Sequence, residues 1–183
     1  MLEYGFVPDG MREEAGGKYS RSFSELTFEV DEKDRFYDDK MDILEFETDN
    51  PPMNPVQTFD VGGKDGEPDP SMVQFLRLVQ LGATDAFLLE SIFRKEVWGF
   101  MFFPVSQKNE EAVVEGIIEA CNKALNEMEE ADLQLEGDAE NGDDGEEEIS
   151  YQEQCCKVVR DLEKKALSKT IDYMQREKEA FDL

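Results

Sequence analysis

Residues 109–128, NEEAVVEGIIEACNKALNEM, decide the fold of this chain. Their apolar side chains recur three and four positions apart, at Val113, Val114, Ile117, Ile118, Cys121, Leu125 and Met128. That spacing predicts an amphipathic helix, because 3.6 residues per turn bring such positions onto one face. Ser106 or Asn109 is the expected N-cap, and the acidic pair Glu110 and Glu111 suits the positive end of the helix dipole.

A second long amphipathic helix is predicted over residues 149–180. Its apolar stripe comprises Cys155, Val158 or Val159, Leu162, Ala166, Tyr173 and Met174. Two long amphipathic helices that follow each other along the chain are expected to pack side by side and antiparallel. The carboxyl-terminal half is therefore expected to be a helical hairpin.

Acidic residues dominate the segment between these helices. Residues 129–148 contain eleven acidic residues and no basic one, and the stretch 138–148, DAENGDDGEEE, holds a single hydrophobic residue, Ala139. Such a segment cannot bury enough surface to offset its chain entropy, so it predicts a disordered acidic loop over about 136–148. Two interpretations of the loop stay open: a solvated insertion, or a contact for a basic partner.

The amino-terminal half predicts shorter elements. Strands are expected at 23–30 and 56–61, and a helix at 35–46 that the prolines at 51, 52 and 55 stop. A further helix opens at Pro70 or Ser71, runs to residue 81 and has Gly82 as its C-cap. Thr84 then caps another helix, which buries Phe87, Leu88, Leu89, Ile92 and Phe93.

Residues 97–105, VWGFMFFPV, are nearly all apolar and are interpreted as a third strand. With the other elements, they predict a mainly α fold. We expect a multi-helix lobe with long antiparallel C-terminal helices and a small β-sheet of two or three strands.

The composition excludes several classes of function. The chain has 183 residues, 19 Lys and Arg, and 45 Asp and Glu, which gives a formal net charge of −26. Such a charge repels nucleic-acid phosphates and anionic membranes, so neither is expected as a partner. Because histidine is absent, Ser-His and Cys-His catalysis and His-ligated metals are also excluded. No other catalytic or metal-binding constellation is recognised.

The cysteines and the first residues indicate where the chain resides. Three cysteines, with Cys155 next to Cys156 and Cys121 distant, do not form a disulfide framework and are interpreted as reduced, core-lining thiols in an intracellular compartment. The start MLEYGFVPDG has neither signal-peptide nor transit-peptide character.

Three stretches resemble a known family. They are LEYGFV at 2–7, FLRLVQLGATDAFLLESIFRKEVWGF at 75–100 and residues 109–128, and FYDDKMDILE at 36–45 adds to the match. Together they resemble the carboxyl-terminal part of Rubisco large-subunit N-methyltransferase, a SET-domain protein-lysine methyltransferase. The resemblance implies that residues 23–183 form its helical substrate-binding domain. Residues 1–22 would be the remnant of the SET domain's end and a linker.

The resemblance also implies what the chain lacks. In that family, the glycine motif that binds S-adenosylmethionine and the Asn-His-Ser knot lie upstream of LEYGFV. No cofactor is therefore expected in this chain, although S-adenosylmethionine would serve the parent enzyme. Tyr4 matches the family tyrosine that closes the lysine channel, and alone it is not expected to be catalytically competent.

Function follows from the same resemblance. The leading hypothesis is a substrate-binding module of a SET-type protein-lysine N-methyltransferase, lacking the catalytic SET core in this chain. The implied partner is a protein such as the Rubisco large subunit, the chain itself is expected to be a monomer, and the implied location is the chloroplast. Cytoplasmic and nuclear locations stay open, because related lobes occur on SET proteins there.

An alternative hypothesis is a free-standing acidic protein-interaction adaptor without an enzymatic role. The sequence does not identify the substrate-binding residues of this chain. The aromatic residues Trp98, Phe100, Phe102 and Phe103 are candidates for a seam against a SET domain.

Overall fold

The computed structural model describes residues 24–46, 53–90, 94–139 and 151–181. Two strands and five α-helices follow in chain order: β1 (Ser24–Glu29), α1 (Tyr37–Phe46), β2 (Val56–Val61), α2 (Pro70–Val79), α3 (Arg94–Phe100), α4 (Gln107–Ala139) and α5 (Tyr151–Phe181). Short 3₁₀ helices lie at Lys64–Gly66 and Ala86–Leu89. The described part of the chain confirms the predicted class, a mainly α lobe with a small sheet.

Helices α4 and α5 form the predicted antiparallel hairpin. Asp132 on α4 bonds Arg160 and Lys164 of α5, whereas Glu115, earlier on α4, bonds Lys178, later on α5. Contacts that run in opposite directions along the two helices require an antiparallel arrangement. Between the helices, the side chains of Ile117, Cys121 and Leu167 are fully buried.

The acidic end of α4 continues further than the sequence suggests. Residues 136–139 were predicted to begin a disordered loop, but α4 runs through Ala139. A physical reason lies at Asp132, where cations of α5 offset the acidic charge of this end of α4. Hydrogen bonding from Lys164, with a further contribution from Arg160, lowers the pKa of that carboxyl. The rest of the predicted loop, 140–148, lies outside the described residues.

The two strands pair antiparallel, from Ser24 opposite Val61 to Glu29 opposite Val56. Leu26 and Val61 point into the core, while the hydroxyls of Thr27 and Thr58 hydrogen-bond at 2.9 Å across the outer face. The alternation of buried and exposed residues in β1 is what a sheet with one solvated face requires.

Helix α2 lies between two apolar clusters. Its Met72 and Leu76 join a core with residues of the sheet, α4 and α5. Phe75 and Leu78, on another face of α2, join a second core with residues of α1 and α3. The helix begins with Pro70, and its N-cap is Asp69, whose carboxylate accepts a 2.7 Å hydrogen bond from the Ser71 amide.

The predicted start of α2 is confirmed, because Pro70 is its first residue, but the predicted end was wrong. The C-cap is Gln80 rather than Gly82. Gln80 can end the helix because its φ of −87° and ψ of 2° are accessible to any residue, so no glycine is needed.

A buried cation joins α1 to the end of α2. The side chain of Lys40 is fully buried, and its Nζ donates to the Asp34 carboxylate and, at 2.7 Å, to the carbonyl of Val79. Carbonyls at a helix C-terminus carry partial negative charge, so an ammonium group is stabilised there. Burial lowers the pKa of Lys40, while Asp34 acts in the opposite direction.

Two predicted elements differ in the structure. The helix expected after Thr84 is a single 3₁₀ turn, Ala86–Leu89, in which Leu89 is buried but Phe87 is exposed. Ile92 and Phe93 lie outside the described residues. The strand predicted over 97–105 is wrong, because α3 runs to Phe100 and a turn follows. A short apolar run does not distinguish a strand from a buried helix, and here Val97 and Met101, four residues apart, share the second core.

The loop after β2 presses against α5. Gly66 has a φ of +85°, and a Cβ atom there would lie 2.2 Å from the carbonyl oxygen of Lys169. The amide of Gly62 donates to the hydroxyl of Thr170 at 3.1 Å. This close approach holds the next residue, Glu67, beside the later turns of α5.

We expect Ile117→Ala and Leu167→Ala each to lower the free energy of unfolding by about 2–5 kcal/mol, because each removes a fully buried side chain and leaves a cavity. Urea denaturation measures both changes. The control is Glu119→Ala on the exposed face of α4, expected within about 0.5 kcal/mol of the unsubstituted chain. Equal losses at all three positions would contradict the assignment of the core.

Candidate protein-binding site

An exposed group of phenylalanines follows α3. Phe100 ends the helix, and a turn closed by the Phe103 amide and the Phe100 carbonyl at 2.9 Å follows. Phe102 and Phe103 are 60% and 64% exposed, and their rings meet edge to face at 5.5 Å. Met101, between Phe100 and Phe102 in the sequence, is fully buried and anchors the turn. We call Phe100, Phe102 and Phe103 the phenylalanine patch.

The patch includes three of the four aromatic residues singled out from the sequence. Trp98, the fourth, is partly buried and packs against the second core. Large apolar side chains grouped on a protein surface indicate a contact with another protein, since scattered single residues are the usual case. The structure therefore brings together most of the predicted aromatic candidates on an exposed surface.

Arg77 of α2 holds the turn at 101–103 in place through hydrogen bonds. Its Nη1 donates to the carbonyls of Met101, at 3.1 Å, and Phe102, at 2.9 Å. Its Nε and Nη2 donate to the two carboxylate oxygens of Glu110, each at 2.8 Å. This is a bidentate pair, the geometry in which arginine binds a carboxylate most strongly.

Glu110 ties the same network to the start of α4. It lies in the first turn of the helix, and its Oε1 also accepts from the amide of Val105 at 3.3 Å. The side-chain amide of Asn109 donates to the carbonyl of Arg77 at 3.0 Å. Ser106, one of the two predicted caps, accepts from the amide of Asn109 through its hydroxyl. One network thus joins α2, the turn at 101–103 and α4.

A cavity of about 240 Å³ adjoins this network. Val73, Val113, Val114 and Met174 supply apolar lining, and the Arg77–Glu110 pair and Phe102 also line it. Exposed Glu67 and Glu177, together with the partly buried Tyr173, complete the wall. Elements from both halves of the chain therefore build it.

The cavity carries negative charge. Arg77 and Glu110 neutralise each other, whereas the carboxylates of Glu67 and Glu177 form no hydrogen bond or ion pair among the described residues. Burial, followed by the charges of Glu177 and Glu67, raises the pKa of the Tyr173 phenol, and Arg176 opposes this effect.

The cavity does not fit S-adenosylmethionine, the cofactor that the family resemblance implies for the parent enzyme. Its volume is below the ~300–1,000 Å³ of typical small-molecule sites. The Arg77 guanidinium, the cation in the lining that could pair with the carboxylate of that cofactor, already donates to Glu110 and two carbonyls.

Other reactive groups are few in the described ranges. No cluster of three or more Cys, Asp or Glu residues suited to a metal occurs there, and no helix there is long and apolar enough to cross a membrane.

Cys121 and Cys155 are buried, as predicted for core-lining thiols, but Cys156 is exposed, so that prediction was wrong for it. Burial raises the pKa of Cys121 to about 12, which keeps it a thiol. Tyr4 lies outside the described residues.

The Arg77–Glu110 pair was not predicted from the sequence. One signal was present: Arg77 is the only charged residue of the stretch 70–81, which is otherwise rich in buried apolar residues. A charged residue inside such a helix needs a partner if it is buried. The partner itself could not be identified, because Glu110 is thirty-three positions away in a segment full of acids.

We expect Arg77→Met to lower the free energy of unfolding by about 3–5 kcal/mol, because it leaves the buried Glu110 carboxylate without its partner. Urea denaturation measures this loss. Arg77→Met/Glu110→Met should cost less than the sum of the two single substitutions, because the two sites interact. Lys123→Met is the control, since its pair with Glu127 is exposed and 3.9 Å apart. An Arg77→Met loss no larger than the control's would show that the pair does not stabilise the fold.

Residues 31–167 match the family model described as Rubisco LSMT substrate-binding. The chain is 38% identical over 178 residues to a chloroplastic ribulose-1,5 bisphosphate carboxylase/oxygenase large subunit N-methyltransferase of Nicotiana tabacum. That match covers 97% of this chain and 32% of the tobacco protein. It is also 42% identical over 125 residues to a chloroplastic [fructose-bisphosphate aldolase]-lysine N-methyltransferase of Arabidopsis thaliana, covering 68% of this chain and 23% of that protein.

A solved structure of Rubisco LSMT bound to AdoMet is similar to this fold with a TM-score of 0.68 and 31% identity. The similarity covers 88% of this chain and 36% of that one. The chain thus spans about a third or less of the curated relatives described here. These findings confirm the resemblance drawn from the sequence, and the chain belongs to the Rubisco LSMT substrate-binding family.

Proposed function

We propose that this chain is the substrate-binding lobe of a SET-type protein-lysine N-methyltransferase. The observation that carries the proposal is the family match over residues 31–167, which includes α1 to α4 and the whole phenylalanine patch. The tobacco and Arabidopsis relatives are named as methyltransferases of the Rubisco large subunit and of fructose-bisphosphate aldolase. Either protein is accordingly a candidate partner for this lobe.

The surface has the physical character that such a role requires. Exposed aromatic rings supply contact area at low entropic cost, and they are enriched among the residues that dominate protein interfaces. The charge of −26 favours encounter with a basic patch on the partner and makes the association sensitive to salt. We also propose that part of the phenylalanine patch packs against a SET domain, because exposed aromatic rings suit that contact too.

The activity of the whole enzyme is proposed from the family. Methyl transfer would use S-adenosylmethionine, and structures similar to this one were solved with AdoMet or AdoHcy bound. Tyr4 is proposed as the lysine-channel tyrosine, with residues 1–22 as the end of a SET domain and 23–183 as the helical domain. Location in the chloroplast is proposed from relatives that are named chloroplastic.

A titration tests the binding role. The chain is immobilised and titrated with Rubisco, chloroplast fructose-bisphosphate aldolase, the SET-domain fragment of the tobacco relative and duplex DNA, at low and at physiological salt. We expect micromolar or weaker binding of at least one of the two candidate substrates, weakening as salt rises, and no binding of DNA.

Phe102→Ser/Phe103→Ser should weaken this binding about tenfold, as expected for interface aromatics. Val56→Ser/Leu133→Ser is the matched control, because these apolar residues are also exposed but lie on other elements. Failure of both substrate proteins to bind would refute the proposed function. Equal losses of affinity in the two double variants would show that the phenylalanine patch is not part of the interface.

A further inference from the structure

The cavity beside Arg77 has the two properties that a long cationic side chain needs. Its apolar lining, from Val73, Val113, Val114 and Met174, can cover a hydrocarbon stem. Its exposed wall holds two carboxylates, Glu67 and Glu177. Lysine and arginine bury their methylene stems on apolar surface while the charged head stays at a polar rim.

The charges around the cavity favour a cation over an anion. Its lining includes three glutamates and one arginine, and the bidentate Arg77–Glu110 pair cancels one of each sign. Two negative charges remain. Arg77 is a poor partner for an anionic ligand, because Glu110 neutralises its charge and its guanidinium already donates to Glu110, Met101 and Phe102.

Aromatic rings complete the wall. Phe102 is largely exposed, and the Tyr173 ring already has the Arg176 guanidinium 5.6 Å from its centroid. Ring faces attract cations, as the Arg176 guanidinium beside Tyr173 illustrates. Arg176 is a positive charge close to the cavity, and its Nε donates to the carbonyl of Asp172. A cationic ligand would share this surface with it.

We propose that this cavity binds a lysine or arginine side chain of the protein that the lobe engages. The proposal rests on the proposed function and deepens it, because it assigns the chemistry of one anchoring contact. At about 240 Å³, the cavity suits one side chain rather than a cofactor-sized ligand. Phe102 belongs to both the cavity and the phenylalanine patch, so one partner can occupy both.

The first experiment uses small probes on the whole chain. Methyl signals of Val73, Val113, Val114 and Met174 are followed by NMR during titration with the N-methylamides of Nα-acetyl-lysine and Nα-acetyl-arginine. We expect progressive shifts at these methyls in the millimolar range, and none at Ile43 and Leu44 of the second core. The norleucine and Nε-acetyl-lysine analogues, which lack the charge, should cause much smaller shifts.

Charge variants identify the carboxylates. Glu67→Gln/Glu177→Gln should weaken binding of the lysine probe about fivefold, because it removes the two unpaired charges. Glu119→Gln/Glu129→Gln changes the net charge equally but alters exposed positions outside the cavity, so it should leave the affinity unchanged. Equal shifts with the norleucine analogue, or equal effects of the two variants, would overturn the proposal.

The same variants separate this proposal from the proposed function. In the titration with Rubisco and aldolase, we expect Glu67→Gln/Glu177→Gln to weaken binding and the control variant to bind like the original chain. Unchanged protein binding by the cavity variant would refute the cavity contact and leave the proposed function intact. Probe binding without any protein binding would refute the proposed function instead.

Discussion

The ion pair between Arg77 and Glu110 is the interaction on which the rest of the structure depends. Arg77 lies on α2, Glu110 lies in the first turn of α4, and the carbonyls of Met101 and Phe102 complete the guanidinium's set of acceptors. A buried guanidinium is costly unless it is satisfied in this way. Because one side chain binds all of these groups, the positions of α2, α4 and the turn between α3 and α4 are set together.

A second constraint, the close packing of the loop after β2 against α5, positions the surface beside this pair. The left-handed Gly66 approaches the backbone of Lys169 too closely for any side chain, which holds Glu67 near Tyr173 and Glu177. Arg77 fixes one wall of the cavity and Gly66 positions the other. The phenylalanine patch and the negative cavity therefore lie together on a surface that these contacts position, as recognition of a protein requires.

Periodicity predicted the elements that repeat over many residues. The helical hairpin follows from apolar spacing and the first strand from apolar enrichment with partial alternation, while the stretches at 2–7, 75–100 and 109–128 together indicated the family. Residues 97–105 were predicted as a strand because a short apolar run fits either element, and only the packing of Val97 and Met101 decides between them. The Arg77–Glu110 pair could not be predicted, because it joins residues far apart in the sequence. The lysine-channel role of Tyr4 stays a prediction.

Hydrogen–deuterium exchange of the chain, alone and with whichever candidate substrate protein binds it, tests most directly whether this surface receives the partner. We expect slower exchange on binding in the backbone of 98–105 and of 173–177, and no change in β1 or α1. Protection confined to β1 and α1, with exchange at 98–105 unaltered, would contradict this account, because the partner would then bind a surface that Arg77 does not organise.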